Sequence, residues 1–237
     1  MDDISLSSDF LDLWIIKIDD IDLASIEQLI HRSDIVRHNQ ICLADRRKKF
    51  IFRRVALRYV LNQYLSDYEI ITNDNGKPYI STEQDFKYYF SLSASGNYCV
   101  IGFSSREIGV DIEVTPSKIK FSEIIERFIK DKELEYMKGV MLKQLSEVST
   151  GFKHYYHLMS LYYWVRLEAY IKLFASTLHE KLLANNSDSV KDMKGLEAST
   201  LLIHHQKFVC ALSQKKIIST PNIKEINYSE IIRNKDE

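Results

Sequence analysis

Gly109-Val110-Asp111-Ile112-Glu113 and, further along, Trp164-Val165-Arg166-Leu167-Glu168-Ala169-Tyr170-Ile171-Lys172 hold the side chains of this sequence best suited to chemistry. The first string is an apolar run with carboxylates at alternate positions. Residues two apart on a β-strand point to the same face, so Asp111 and Glu113 would stand side by side and repel each other unless a cation lies between them. The second string reads as a helix, on which Glu168 and Lys172, four apart, share a face. A third carboxylate brought to the first two makes an oxygen-ligand site suited to magnesium, with the lysine adding positive charge beside it. Such a set fits a phosphate-bearing substrate, because magnesium usually takes one or two carboxylates and completes its shell with water and phosphate oxygens. The same residues admit plainer roles. Asp111 and Glu113 could be two solvated strand carboxylates, and Glu168 with Lys172 a surface helix pair worth only ~0.3–0.5 kcal/mol.

The chain that must position these groups has 237 residues, enough for one large domain or two small ones with a sizeable core. Its charge is nearly balanced, 32 Lys and Arg against 33 Asp and Glu, so there is no overall electrostatic case for nucleic acid or a membrane. Cys42, Cys99 and Cys210 are odd in number and widely spaced, which argues against a disulfide scaffold or a zinc site. Cys99 and Cys210 lie in apolar strand-like runs and read as small core residues. Met1-Asp2-Asp3 opens acidic with no apolar signal core, and no run approaches the ~20 apolar residues of a membrane span, so the expected location is cytoplasmic. Glycine is scarce, seven in all, and neither GxGxxG nor a P-loop occurs, which excludes the common glycine-rich phosphate cradles.

Hydrophobic periodicity predicts a strand over Leu11–Ile18, a helix over Ala24–Ile35 and a longer one over Ala44–Leu65, basic at its start from Arg46 to Lys49. Asn73-Asp74-Asn75-Gly76-Lys77-Pro78 is dense turn chemistry. Strands are expected at Tyr88–Leu92, Tyr98–Ser104 and Ile108–Val114, with Ser93–Asn97 and Ser104–Glu107 as turns. Helices follow at Phe121–Lys138 and Tyr155–Thr177, then closing strands at Leu201–Ile203 and Phe208–Leu212. Lys138–Gly151 and Asn185–Thr200 read as loops. Each half holds a strand, helices and further strands. The expected class is therefore α+β: two similar α/β lobes meeting near residue 110, with a ligand in the crevice between them.

With both strings placed, the chain resembles the Sfp-type 4′-phosphopantetheinyl transferases, whose signatures are a G-[VI]-D-[IV]-E strand and a W-x-x-K-E-[SA]-[YF]-x-K helix. Asn75-Gly76-Lys77-Pro78-Tyr79-Ile80 resembles the family's GKP loop, and Phe90-Ser91-Leu92-Ser93-Ala94-Ser95-Gly96 its F-N-x-S-H-S-G segment. The basic helix ending in Arg58 is similar to the family's first-lobe helix, and Arg127-Phe128 with Glu133 to its R-F-F-x-x-x-E element. The resemblance implies two pseudo-symmetric lobes in one chain, residues 1–108 with the basic helix, GKP loop and coenzyme A contacts, and residues 109–237 with the carboxylates and the motif helix. It implies transfer of the phosphopantetheine arm of coenzyme A to a serine of an apo acyl or peptidyl carrier protein, with Mg2+, releasing adenosine 3′,5′-bisphosphate. It further implies a cytoplasmic monomer of secondary metabolism with no nucleic-acid or membrane partner.

Carried over residue by residue, the resemblance makes Asp111, Glu113 and Glu168 metal ligands, with Glu168 also able to accept the serine proton. Lys172 then holds a phosphate oxygen of the coenzyme and steadies the leaving group. Arg46, Lys77, Pro78, Ser93 and Ser95 contact coenzyme A. Each has a bland counterpart: a wet basic helix start for Arg46, ordinary turns for Lys77, Pro78 and the serines. Trp164 reads as core. Two positions depart from the pattern. The histidine of S-H-S is Ala94, and the first lysine of W-x-x-K-E is Leu167. Each removes a charge-assisted contact of ~1.5–3 kcal/mol. Two readings follow: a divergent working transferase, or a catalytically weakened member of the same fold that binds a carrier or another partner protein.

Overall fold

The computed structural model describes residues 9–18, 23–72, 77–82, 87–117, 119–128, 152–174, 199–217 and 219–233. The chain divides into two units, Met1–Arg106 together with Ile218–Glu237, and Glu107–Ile217. The architecture is α+β, as the pattern of strands and helices predicts.

In the first unit a four-stranded sheet is built from β1 (Leu11–Lys17), β4 (Tyr89–Ser95), β5 (Tyr98–Ser104) and β9 (Asn222–Asn227), in the order β4-β5-β1-β9. Strand β1 runs antiparallel to β5, with Trp14 opposite Ile101, and parallel to β9, with Trp14 opposite Lys224. Six of its seven residues are buried, because it is central in the sheet. The hairpin joining β4 to β5 turns on Gly96-Asn97. Gly96 has φ 52°, a left-handed conformation that glycine adopts without a Cβ penalty.

Helices α1 (Leu23–Glu27), α2 (Arg32–Asn39) and α3 (Ala44–Asn62) precede a small hairpin of β2 (Glu69–Thr72) and β3 (Pro78–Ser81). On α3 the buried residues Ile51, Phe52, Val55, Ala56, Val60 and Leu61 recur at helical spacing. They form one core with Trp14, Ile16, Phe90, Ile101, Phe103 and Tyr228. Each such side chain contributes roughly 1.5–3 kcal/mol on leaving water. The single helix predicted over Ala24–Ile35 is two. A new helix starts where the His31 ring nitrogen accepts the Ser33 amide at 3.3 Å, an N-cap that interrupts the run.

The second unit holds a three-stranded antiparallel sheet of β6 (Gly109–Val114), β7 (Ser199–His205) and β8 (Phe208–Gln214), in the order β6-β8-β7. All of β8 is buried, as its central place requires. Helix α4 (Phe121–Phe128) and the long α5 (Phe152–Leu173) complete it. Leu161, Val165 and Ala169, one turn apart, pack with Phe121 onto Val209 and Ala211 of β8.

The second unit ends at Ile217. The closing stretch that the sequence reading places in a 109–237 lobe instead adds β9 to the first sheet and ends in α6 (Tyr228–Arg233). The predicted helix end at Lys138, the Lys138–Gly151 loop, Glu133, most of the Asn185–Thr200 loop and the end of the Tyr155–Thr177 helix lie outside the described residues. No helix among the described residues is long and apolar enough to cross a membrane.

Candidate functional site

The site begins with a glycine. Gly109, the first residue of β6, lies directly against α5. A Cβ there would collide with the carbonyl oxygen of Ala169 and lie 2.5 Å from the amide nitrogen of Leu173. The bare glycine lets the helix backbone rest on the strand. Side chains two apart on a strand share a face, so the face of Gly109 that meets α5 also carries Asp111 and Glu113. The apolar alternation between them is what sets that register: Val110 and Ile112 are buried on the opposite face.

Asp111 is 4% exposed, and Lys172 in the last turn of α5 donates to its Oδ1 at 2.7 Å. Glu168, one turn before Lys172, is half-buried. Its carboxyl is raised above the ordinary range, first by burial and then by the charge of Asp111, against the opposing pull of Lys172. Asp111, Glu168 and Lys172 therefore form one electrostatic group across β6 and α5. Cys210 stands opposite Ile112 on β8, and burial, with Asp111 nearby, pushes its thiol up, so it is an inert core sulfur.

Glu113 is half-buried. Among the described residues no group of three or more His, Cys, Asp or Glu side chains that could hold a metal is found. The pair that does couple still suits magnesium. It offers hard oxygens, it is short of positive charge at Glu168, and one or two carboxylates suffice when phosphate oxygens supply the rest.

The remaining predicted residues belong to the first unit. Arg46 is exposed in the first turn of α3. Lys77 is half-buried beside Pro78, which opens β3 opposite Thr72. Ser93 and Ser95 are not in a turn, as their context suggests. They continue β4, opposite Val100 and Tyr98, because the two-residue turn at Gly96-Asn97 lets the ladder run on to Ser95. Ser93 is 9% exposed and Ser95 half-buried. Ala94, between them, points the other way and packs with Leu92 against the hydrophobic core. Alanine there is a packing choice as well as a lost donor. Leu167 is half-buried and Arg166 exposed. Trp164 is half-buried and packs against Phe121 at the edge of the core, ring centres 5.7 Å apart.

Two features escape a motif-based reading. One is the space requirement at Gly109, for which the only sequence signal is a rare glycine placed ahead of the acidic strand. The other is Asp34, a buried acid between Arg54 and Arg58, which carries no local signature.

No family model matches this chain. Two curated relatives do. Over 165 residues it is 24% identical to "Putative 4'-phosphopantetheinyl transferase" of Synechocystis sp., covering 68% of this chain and 63% of that protein. Over 182 residues it is 25% identical to "4'-phosphopantetheinyl transferase HetI" of Nostoc sp., covering 71% of this chain and 70% of that protein. The match thus spans less than two thirds of the first relative's length. The chain is thus similar to two proteins named as 4′-phosphopantetheinyl transferases, in keeping with its strand and helix motifs and the α+β architecture that carries them.

Proposed function

We propose that this chain transfers the 4′-phosphopantetheine arm of coenzyme A to a serine of an apo acyl or peptidyl carrier protein, with Mg2+, as a cytoplasmic monomer. The observation that supports this most is the coupling of Asp111, Glu168 and Lys172 where the sequence motifs meet. In the reaction the serine oxygen bonds to the pantetheine-side phosphorus of the coenzyme's pyrophosphate. The bond from that phosphorus to the bridging oxygen breaks, and adenosine 3′,5′-bisphosphate leaves with that oxygen.

Glu168 takes the serine proton, directly or through a water. Its raised affinity for protons makes it a better base than an ordinary carboxylate. Asp111 would hold magnesium, with Glu168 and Glu113 as the other candidate ligands. When bound, the ion neutralises pyrophosphate charge and lowers the cost of the leaving group. Lys172 brings its ammonium to the same place and holds a phosphate oxygen. Arg46, Lys77, Pro78, Ser93 and Ser95 are assigned to the coenzyme; of the two serines, Ser95 is the more accessible donor.

Ala94 and Leu167 favour a second reading, a weakened member that keeps partner binding without turnover. Mass spectrometry separates the two. With coenzyme A, Mg2+ and a panel of apo carriers, the transferase adds ~340 Da to one carrier serine, as expected for phosphoryl transfer to a hydroxyl. The gain disappears in Asp111→Ala and Glu168→Ala. No gain with any carrier, together with no coenzyme A binding by calorimetry, overturns the transferase reading.

A further inference from the structure

The near-neutral total charge of this chain hides a strong asymmetry. Residues 31–58, which hold α2 and most of α3, carry nine Lys and Arg against two Asp, while the remaining residues carry 23 against 31. One of the two acids, Asp34, is buried on the inner side of α2. Arg58 donates to it at 2.8 Å, and Arg54 lies 3.3 Å from it. That anchor fixes which way α2 faces. At 100° per residue, the side opposite Asp34 presents Arg32, Ile35, Val36 and Asn39. Ile35 and Val36 are 43% and 67% exposed, and Leu43, just before α3, is 58% exposed. Three of the seven exposed large hydrophobic residues among those described thus fall within nine positions. Arg32 on the same helix, and Lys48, Lys49 and Arg53 in the first half of α3, are exposed as well.

We propose that the outer face of α2 and the start of α3 is a docking surface for a partner protein that presents an acidic face with an apolar centre. Resting on the transferase reading above, that partner is the carrier protein. Two features favour a protein over a nucleic acid. The apolar centre is aliphatic, with no aromatic platform for bases, and the acidic remainder of the chain opposes a long polyanion. The arrangement is that of a non-obligate interface, a small apolar centre inside a charged rim. The rim steers encounter, so association depends on salt.

The test measures anisotropy of a fluorescently labelled apo carrier, the one that the wild-type protein loads fastest. Arg32→Glu/Lys49→Glu and, separately, Val36→Ser replace exposed side chains that no catalytic role uses. Coenzyme A affinity and melting temperature are recorded alongside as controls. The proposal expects the double reversal to weaken carrier binding by at least ~10-fold, to flatten its salt dependence, and to leave the coenzyme A dissociation constant unchanged. A carrier with its acidic face reversed regains affinity for the double variant. Carrier binding within twofold of wild type in both variants overturns the docking surface and leaves the transferase standing. A wild-type protein that neither binds coenzyme A nor loads any carrier overturns both. Loss of binding to anionic vesicles or to a single-stranded oligonucleotide in the double variant, with carrier binding intact, overturns the choice of a protein partner.

Discussion

Gly109 is small because a helix lies on it. Its replacement by alanine would set a methyl group against the backbone of Ala169 and Leu173, neither of which is a flexible side-chain end that could swing aside. Overpacking typically costs ~1–3 kcal/mol, and backbone obstruction belongs at or above the top of that range. Gly109→Ala should therefore lower the urea midpoint sharply. It should also loosen the 2.7 Å contact between Lys172 and Asp111, since both flank the point where strand and helix touch. A variant with unchanged midpoint would mean that α5 does not lean on β6 as described. The first residue of the acidic motif thus controls the distance at which the carboxylate of β6 meets the acid and base of α5. Asp111, Glu168 and Lys172 were legible as residue types at a spacing. Their assembly was half-legible, because a helix period and a strand period each predict a face but neither predicts which faces meet. Glu113 shows the limit. Period-two reasoning puts it on the same face as Asp111, but says nothing of its distance from a carboxylate on another element such as Glu168.

At the scale of elements, the strongest local signals held. The strand over Tyr98–Ser104 and the start of the basic helix at Ala44 fall where apolar periodicity puts them. The errors have physical causes. Serines 93 and 95 look like turn residues, but a glycine at positive φ closes the hairpin in two residues and the ladder claims the serines. The break between α1 and α2 is invisible to apolar periodicity because the residues between them, Gln28 to His31, are helix-compatible in sequence and only the capping by His31 marks the new start. What holds α2 in place is the Asp34 carboxylate between two arginines whose side chains are 12–14% exposed. Removing one partner of a buried ion pair costs more than the pair itself contributes, about 3–5 kcal/mol, because the remaining charge is stranded. Asp34→Ala should fall in that range by chemical denaturation. Asp34→Ala combined with Arg54→Met and Arg58→Met should recover much of the loss. Full stability in the single variant would show that α2 is held by its apolar contacts alone.

Across the whole chain, the feature least visible in sequence is the return of its last described segment to its first strand. Parallel pairing of β9 with β1 joins residues more than two hundred positions apart, with Asp12 opposite Asn222, and no local pattern encodes such a contact. Its chemistry is nonetheless specific. Tyr64, just after α3, donates to Asp12 and accepts from the Trp14 indole at 2.9 Å. Lys224 of β9 reaches both, donating to Asp12 at 2.8 Å and to the Tyr64 oxygen at 3.0 Å, while its ammonium lies 4.7 Å from the Trp14 ring centre. Sheet strand, helix end and chain end are thereby tied at one point in the first unit. Burial first, and then the bond to the Asp12 carboxylate, push the Tyr64 hydroxyl up to about 12. An unfolded chain ionises the same hydroxyl near ~10. A raised folded value means that the neutral tyrosine contributes its full stabilisation below the unfolded value, and that this is lost as pH rises through the folded one. Wild type should therefore exceed Tyr64→Phe in urea midpoint by a constant margin up to about pH 9, and that margin should shrink steadily between about pH 10 and 12. The Phe variant keeps the ring but has no proton to lose, so other alkaline effects cancel in the comparison. A margin that stays flat through this window would mean that Tyr64 ionises alike in the folded and unfolded chain, and that the knot joining β9 to β1 does not depend on its hydroxyl.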